Sequence, residues 1–326
     1  MTGGRQGELA GSLRTYDASV RRAQRPEQDD LVAHQEHCSA DPDRLATVGA
    51  GRGAQVRIVR GEGQYALFTV SEVRPESPDT VVRMGQDGRE RLGTPEEFDG
   101  VLDTRVARSE LTDERARADS EFVERLQDDG HQRRLVVLAP HGGDIEPHTD
   151  EQAEHLAACL RSNRVSVWLC KGFRVGGGAA RRWHITSDDI DPGSFPALGS
   201  IFGRGFAHAV SFHGFDRADL PDGVVVGGAA RDRLKCCVAA AIRDALAGTG
   251  FTVRIAGAGD PLGGGNAANI VNRITASGRG GVQIEQGPGV RDQHALAVAE
   301  AVARVYRRRS PGGCGGLLGW LWYRGR

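Results

Sequence analysis

Leu135-Val136-Val137-Leu138-Ala139-Pro140-His141-Gly142-Gly143-Asp144-Ile145-Glu146 decides the fold of this chain. Its first residues form a short apolar run bounded by a Pro and a Gly pair, which reads as a buried strand. Thr149-Asp150-Glu151-Gln152 follows at once. It has the spacing of a capping box, in which Thr and Gln side chains satisfy reciprocal backbone donors, and so opens a helix. The same alternation continues downstream. Strands are expected at 165–169, 206–212, 224–226, 252–256 and 281–285, and helices at 231–247, 266–277 and 292–307. Strands alternating with helices predict an α/β fold: a mixed, mainly parallel sheet flanked by helices.

Upstream the character changes. Val56-Arg57-Ile58-Val59, Tyr65-Ala66-Leu67-Phe68-Thr69-Val70 and Thr80-Val81-Val82-Arg83-Met84 are β-rich and punctuated by turn residues. Residues 46–107 are therefore expected as a small all-β module. Residues 108–308 form the α/β domain, opening with a charged helix over 108–128. Residues 1–45 are polar and poor in core-formers, which predicts a disordered, dispensable leader. Residues 309–326 read as a Gly-rich tail with a Leu/Trp cluster.

Composition narrows the class. The chain has 326 residues, 39% hydrophobic, with net charge −1, so no polycation or polyanion argument applies. No apolar run approaches the roughly 18–20 residues of a membrane span. The six cysteines lack CxxC or framework spacing and suit a reducing compartment. No secretory pattern follows Arg21-Arg22, and a cytoplasmic location is expected. Gly257-Ala258-Gly259-Asp260-Pro261-Leu262-Gly263 is out of step with a dinucleotide-binding loop, and Pro261 interrupts it.

Strand ends of an open α/β sheet are where ligands bind. His141 and Glu146 flank a Gly-Gly turn beyond the first strand, and His213 closes Ala209-Val210-Ser211-Phe212. Two imidazoles and a carboxylate form a ligand set for Zn2+ that leaves a position open. Glu285 ends Gly281-Val282-Gln283-Ile284, where an unpaired carboxylate is costly, and suits a general base. His184, in Trp183-His184-Ile185-Thr186-Ser187, is a rival ligand or substrate contact. Asn269 and Arg273 lie near a helix start, where Arg273 suits a substrate carboxylate. A structural reading stands beside each: a hydrogen-bonded loop histidine, a paired carboxylate, an internal ion pair.

These stretches, His141–Glu146, Trp183–Ser187, Ser211–Gly214, Asn269–Arg273 and Gly281–Glu285, together resemble the poly-γ-glutamate hydrolase family. Its members are often labelled phage-related replication proteins. The resemblance covers about residues 131–308. It implies a zinc carboxypeptidase-like fold, zinc on His141, Glu146 and His213, and Glu285 as the catalytic carboxylate. It departs at Pro147-His148, where the family usually has a Gly before the helix-capping Thr.

The span from Leu156 to Ser187 contains no Asp or Glu but carries Arg161, Arg164, Lys171, Arg174, Arg181 and Arg182. It is expected to serve as a basic rim for an anionic peptide or polymer, with Arg181 and Arg182 as substrate contacts. Its few aromatics give no stacking platform, so neither nucleic acid nor membrane is expected as a partner. The function expected is a zinc-dependent hydrolase of γ-glutamyl-type amide bonds, using water activated by the metal and Glu285 as general base. A zinc deacylase or amidase on another substrate, and a non-catalytic binding protein with a basic surface, are the alternatives.

Overall fold

The computed structural model describes residues 14–160 and 165–307. Arg161, Arg164, Cys314 and the tail at 309–326 lie outside the described residues. The chain divides into two compact units. The first comprises the residues up to Val106 with Arg181–Ile185 and Ile190–Phe195. The second comprises Ala107–Ala180, Thr186–Asp189 and the residues from Pro196 onward.

The first unit is a closed barrel carrying short helices, not an all-β module confined to 46–107. Its elements are β1 (Thr15–Arg22), α1 (Asp29–Ala33), β2 (His37–Ala40), α2 (Pro42–Thr47), β3 (Gln55–Gly61), β4 (Gln64–Val73), β5 (Val81–Met84), α3 (Gln86–Arg91) and β6 (Phe98–Asp103). The strands close in the order β1-β5-β2-β4-β3-β6, and β6 pairs back onto β1. The pairs β1/β5 and β2/β4 are parallel.

Residues 14–45 correct the expected leader, because they supply β1 and β2. Tyr16, Ala18 and Val20 alternate inward along β1 and are buried, while Thr15, Asp17 and Arg22 stay outside. Period-two alternation makes a strand even where charged residues are as many as apolar ones. Ile58, Phe68, Val70 and Leu102 complete the barrel interior with Cys38 of β2. Full burial of such side chains contributes roughly 1.5–3 kcal/mol each.

The second unit holds α4 (Asp113–Ala118), β7 (Phe122–Gln127), β8 (Leu135–Gly143), α5 (Thr149–Leu160), β9 (Ser166–Gly172), α6 (Ala179–Trp183, leading into the first unit), α7 (Pro196–Phe202), β10 (His208–Gly214), β11 (Gly223–Gly227), α8 (Asp232–Ala245), β12 (Thr252–Ile255), α9 (Ile270–Arg273), β13 (Gly281–Gln286) and α10 (Pro288–Arg307). The expected helix over 108–128 is instead the short α4 followed by strand β7. Glu124 of β7 is buried and accepts bonds from Trp168 Nε1 and the backbone N–H groups of Ala197 and Leu198. Those bonds tie the segment into the sheet. The expected helix over 266–277 shrinks to α9, because Asn269 caps it late, accepting from Val271 N.

The sheet has seven strands in the order β12-β11-β13-β10-β8-β9-β7. It is mixed: β8/β9, β8/β10, β10/β13 and β11/β12 are parallel, β11/β13 and β7/β9 antiparallel. One face buries Val137, Val210, Phe212, Val282 and Ile284 against Leu156 of α5, Val238 and Ile242 of α8 and Val298 and Val302 of α10. The alternate residues of β10 and β13, Ser211, His213, Gln283 and Glu285, therefore face the other side. No helix among the described residues is long and apolar enough to cross a membrane.

Candidate metal centre

The strand ends build a buried polar cluster in the second unit. The β8/β9 register shifts between Ala139 and Gly142. Pro140 has no N–H for the ladder, and a bulge there turns the next side chain away from its strand neighbours. His141 is that side chain. Gly143 then takes φ 69° and approaches the backbone of Gly172, so that a Cβ there would meet the Gly172 carbonyl oxygen at 2.9 Å. The turn returns Glu146 onto His141, with the Glu146 N–H donating to the His141 carbonyl at 2.8 Å.

The three candidate ligands converge. His141 Nδ1 lies 3.0 Å from Glu146 Oε1, and His213 Nδ1 lies 3.2 Å from His141 Nδ1 and 3.5 Å from Glu146 Oε2. All three are buried, at 3%, 8% and 3% exposure for His141, Glu146 and His213. Burial opposes the Glu146 charge, yet the two imidazoles outweigh it and hold the carboxyl well below the usual range. Burial likewise opposes a charged His213, and the Glu146 contact and carboxylate charges push its pKa up. On its far side His213 Nε2 meets Ser211 Oγ at 2.8 Å and Ser187 Oγ at 3.4 Å. The backbone N–H of Gly214 donates to Glu146 Oε2 at 2.9 Å, which steadies the carboxylate.

Glu285 stands beside this cluster as the register partner of His213 on β13. Burial is the main force on its carboxyl, which is pushed up to about 7 against the opposing influence of His213. Gln283 Nε2 donates to Glu285 Oε1 at 2.8 Å, and Asn269 Nδ2 donates to Gln283 Oε1 at 3.0 Å. Asn269, expected to touch substrate, is buried and bonded to Gln283. It also bonds Asp188, whose carboxyl is raised by burial.

The sequence missed several members. Arg291 is buried in α10, donating from Nε to the Gln286 carbonyl at 3.3 Å and from Nη1 to the Pro147 carbonyl at 3.1 Å. A Cβ on Gly214 would meet Arg291 Nε at 2.5 Å, so only glycine lets the guanidinium lie there. Gln152 and Gln286 exchange bonds, each amide donating to the other at 2.8 Å. This replaces the expected capping box: Thr149 Oγ1 donates instead to the Glu146 carbonyl at 2.8 Å. His148, at the point of departure noted in the sequence, takes φ 73°, the left-handed conformation that Gly adopts freely.

Arg273, Arg182 and Arg181 have contacts of their own. Arg273 lies over the Phe202 ring, 5.2 Å from its centroid. Arg182 belongs to the first unit, where it is buried, donates to the Gly63 carbonyl at 2.5 Å and stacks on Tyr65. Arg181, in the same unit, is half exposed and 3.5 Å from Glu90. His184 is in that unit as well, its carbonyl accepting from Arg91 Nη2 at 3.4 Å. Lys171 is buried among Asp113, Asp150 and Glu154, within 3.0, 3.1 and 2.9 Å. Those carboxylates overcome the cost of burial and raise its pKa. Lys171 and Arg182 are thus internal, and the continuous basic rim expected over 156–187 is not formed by them.

A polar cluster beyond the carboxyl ends of the central strands of a mainly parallel sheet defines an α/β protein with its site at the strand ends. The chain belongs to the poly-gamma-glutamate hydrolase family, which matches residues 109–299. It is similar to the SPbeta prophage-derived UPF0714 protein YoqZ of Bacillus subtilis (strain 168), 34% identical over 43% of this chain and 45% of that protein. UPF0714 protein YndL of the same organism is 31% identical over 48% of this chain and 54% of its own length. The chain thus spans about half the length of these curated relatives. A solved bacteriophage poly-gamma-glutamate hydrolase compares with a TM-score of 0.46 at 24% identity, over 57% of this chain and 87% of that one.

Proposed function

We propose that this chain is a zinc-dependent hydrolase of amide bonds, acting on γ-glutamyl linkages. The observation that carries the reading is the convergence of His141, Glu146 and His213 beside Glu285. The donor set fits zinc: two imidazole nitrogens and a carboxylate, buried and pointed at one another. The serine hydroxyls at His213 Nε2 suit the outer partners that fix a ligating imidazole. When bound, zinc polarises the scissile carbonyl and lowers the pKa of water. Glu285 takes the proton from the attacking water and passes it to the leaving amine, a role favoured by a carboxyl titrating near neutrality. Gln283 and Asn269 hold Glu285 in place, and Arg291 supplies a fixed positive charge next to it.

The burial of Lys171 and Arg182 favours a second reading, an amidase on a short substrate that needs no long basic track. Both are tested together. Metal content is measured on the purified protein and on H141A and H213A, and product release from poly-γ-glutamate is compared with release from a γ-linked dipeptide. One zinc equivalent lost in both variants, with the polymer preferred, supports the first reading. Preference for the dipeptide supports the second. Full activity after complete metal removal overturns both.

A further inference from the structure

The first unit carries a second set of metal-type donors, in residues 30–37. Asp30 lies on α1, and His34 caps that helix four residues on. The His37 N–H donates to the His34 carbonyl at 3.1 Å, so His34-Gln35-Glu36-His37 is a tight turn. The turn stacks the two imidazoles with centroids 4.7 Å apart. Both rings face one carboxylate: His37 Nδ1 is 3.0 Å from Asp30 Oδ2, and His34 Nε2 is 3.5 Å from Asp30 Oδ1. One ligand atom each from His34, Glu36 and His37 lie within 4.8 Å of one another. The backbone beneath them is fastened to the barrel. Arg91 Nη1 donates to the Gln35 carbonyl at 3.2 Å, Thr69 N donates to the Glu36 carbonyl at 2.8 Å, and His37 begins β2.

We propose that Asp30, His34, Glu36 and His37 form a site for a divalent transition metal of the zinc type, additional to the one in the second unit. Two imidazoles with carboxylates suit zinc, nickel or copper, whereas magnesium and calcium take oxygen donors. With metal–nitrogen bonds of about 2.0–2.1 Å, donors on a tetrahedral ion stand about 3.3 Å apart. The buried His37 and the pinned turn are already set. The His34 and Asp30 side chains, 49% and 61% exposed, can rotate to close the remaining distance. A bound ion joins the end of α1 to the start of β2 and stabilises the barrel by mass action.

The test uses the full chain, stripped with a chelator and titrated with zinc chloride by calorimetry, with cobalt(II) as the absorbing probe. The wild type is expected to show two classes of site. H34A weakens one class at least tenfold and leaves the other unchanged, while H141A does the converse. His34 is exposed, so H34A keeps the fold, which circular dichroism checks. A single class unaffected by H34A overturns the proposal, as does loss of both classes in H34A. Absence of the H141A-sensitive class alone would instead count against the hydrolase reading.

Discussion

His213 and Glu285 are direct partners across the parallel ladder of β10 and β13, an imidazole and a raised carboxyl side by side on one sheet face. The pairing fixes their separation through backbone hydrogen bonds, without help from a loop.

Substituting E285Q keeps size and shape but cannot accept a proton. Zinc content is expected to stay at the wild-type level while turnover falls roughly 10²–10⁴-fold. The same change should stabilise the metal-free protein. A carboxyl raised from 4.5 to about 7 on folding gives stability that is present at low pH and lost as pH rises through that window. The glutamine has no such loss, so its advantage in urea denaturation should grow from pH 4.5 to 7, reaching about 1–3 kcal/mol, and then level off. A wild type equally stable at pH 5 and pH 8 refutes this account.

Gln283 acts through Glu285. Its amide lowers the Glu285 pKa, so Q283A should move the acid limb of kcat/KM to higher pH and cut activity about tenfold, with KM little changed. A uniform loss with an unshifted profile would mark Gln283 as structural only.

His148 carries backbone strain. A left-handed residue other than glycine costs roughly 1–2 kcal/mol, partly offset here by the contact to Glu151 and by the extra chain entropy that Gly loses on folding. H148G should therefore raise stability by about 0.5–1 kcal/mol, read as a higher denaturation midpoint at constant m-value. A lower midpoint would show that the His148 contacts outweigh the strain.

A chain beginning at Ala46 lacks β1 and β2, which pair with β4, β5 and β6. The barrel cannot close, and such a truncation is expected to lose soluble, protease-resistant first-unit fragments in limited proteolysis. Wild-type resistance would overturn the barrel assignment of residues 14–45.

Part of the candidate site was legible because a polar residue next to glycine at the end of an apolar run is costly to bury without a partner. His141 and His213 fit that description, Glu285 ends the mostly apolar strand β13, and Glu146 follows from the Gly-Gly turn after His141. Ser211, Gln283 and Gln286 were not, because an inward polar residue and a solvent-facing one look alike in an alternating strand. Arg291 reads as an ordinary helix arginine until Gly214 is seen to make room for it. Residues 14–45 hid their strands for a related reason. Tyr16, Ala18 and Val20 are single apolar residues separated by polar ones, so no apolar run stands out among the charged neighbours. The burial of Lys171 within the basic span was not legible because its partners, Asp113, Asp150 and Glu154, come from before it in the chain.

In the strand order β12-β11-β13-β10-β8-β9-β7, the three strands that carry the site, β13, β10 and β8, are the middle three. Local opening of a sheet begins at its edges, at β12 and β7 here. Amide protons around Val210–Phe212 and Val282–Ile284 should thus exchange with solvent only when the whole second unit unfolds, while those of β12 exchange through fraying. The candidate site is carried by the strands expected to exchange most slowly, so losses at the edges reach it last.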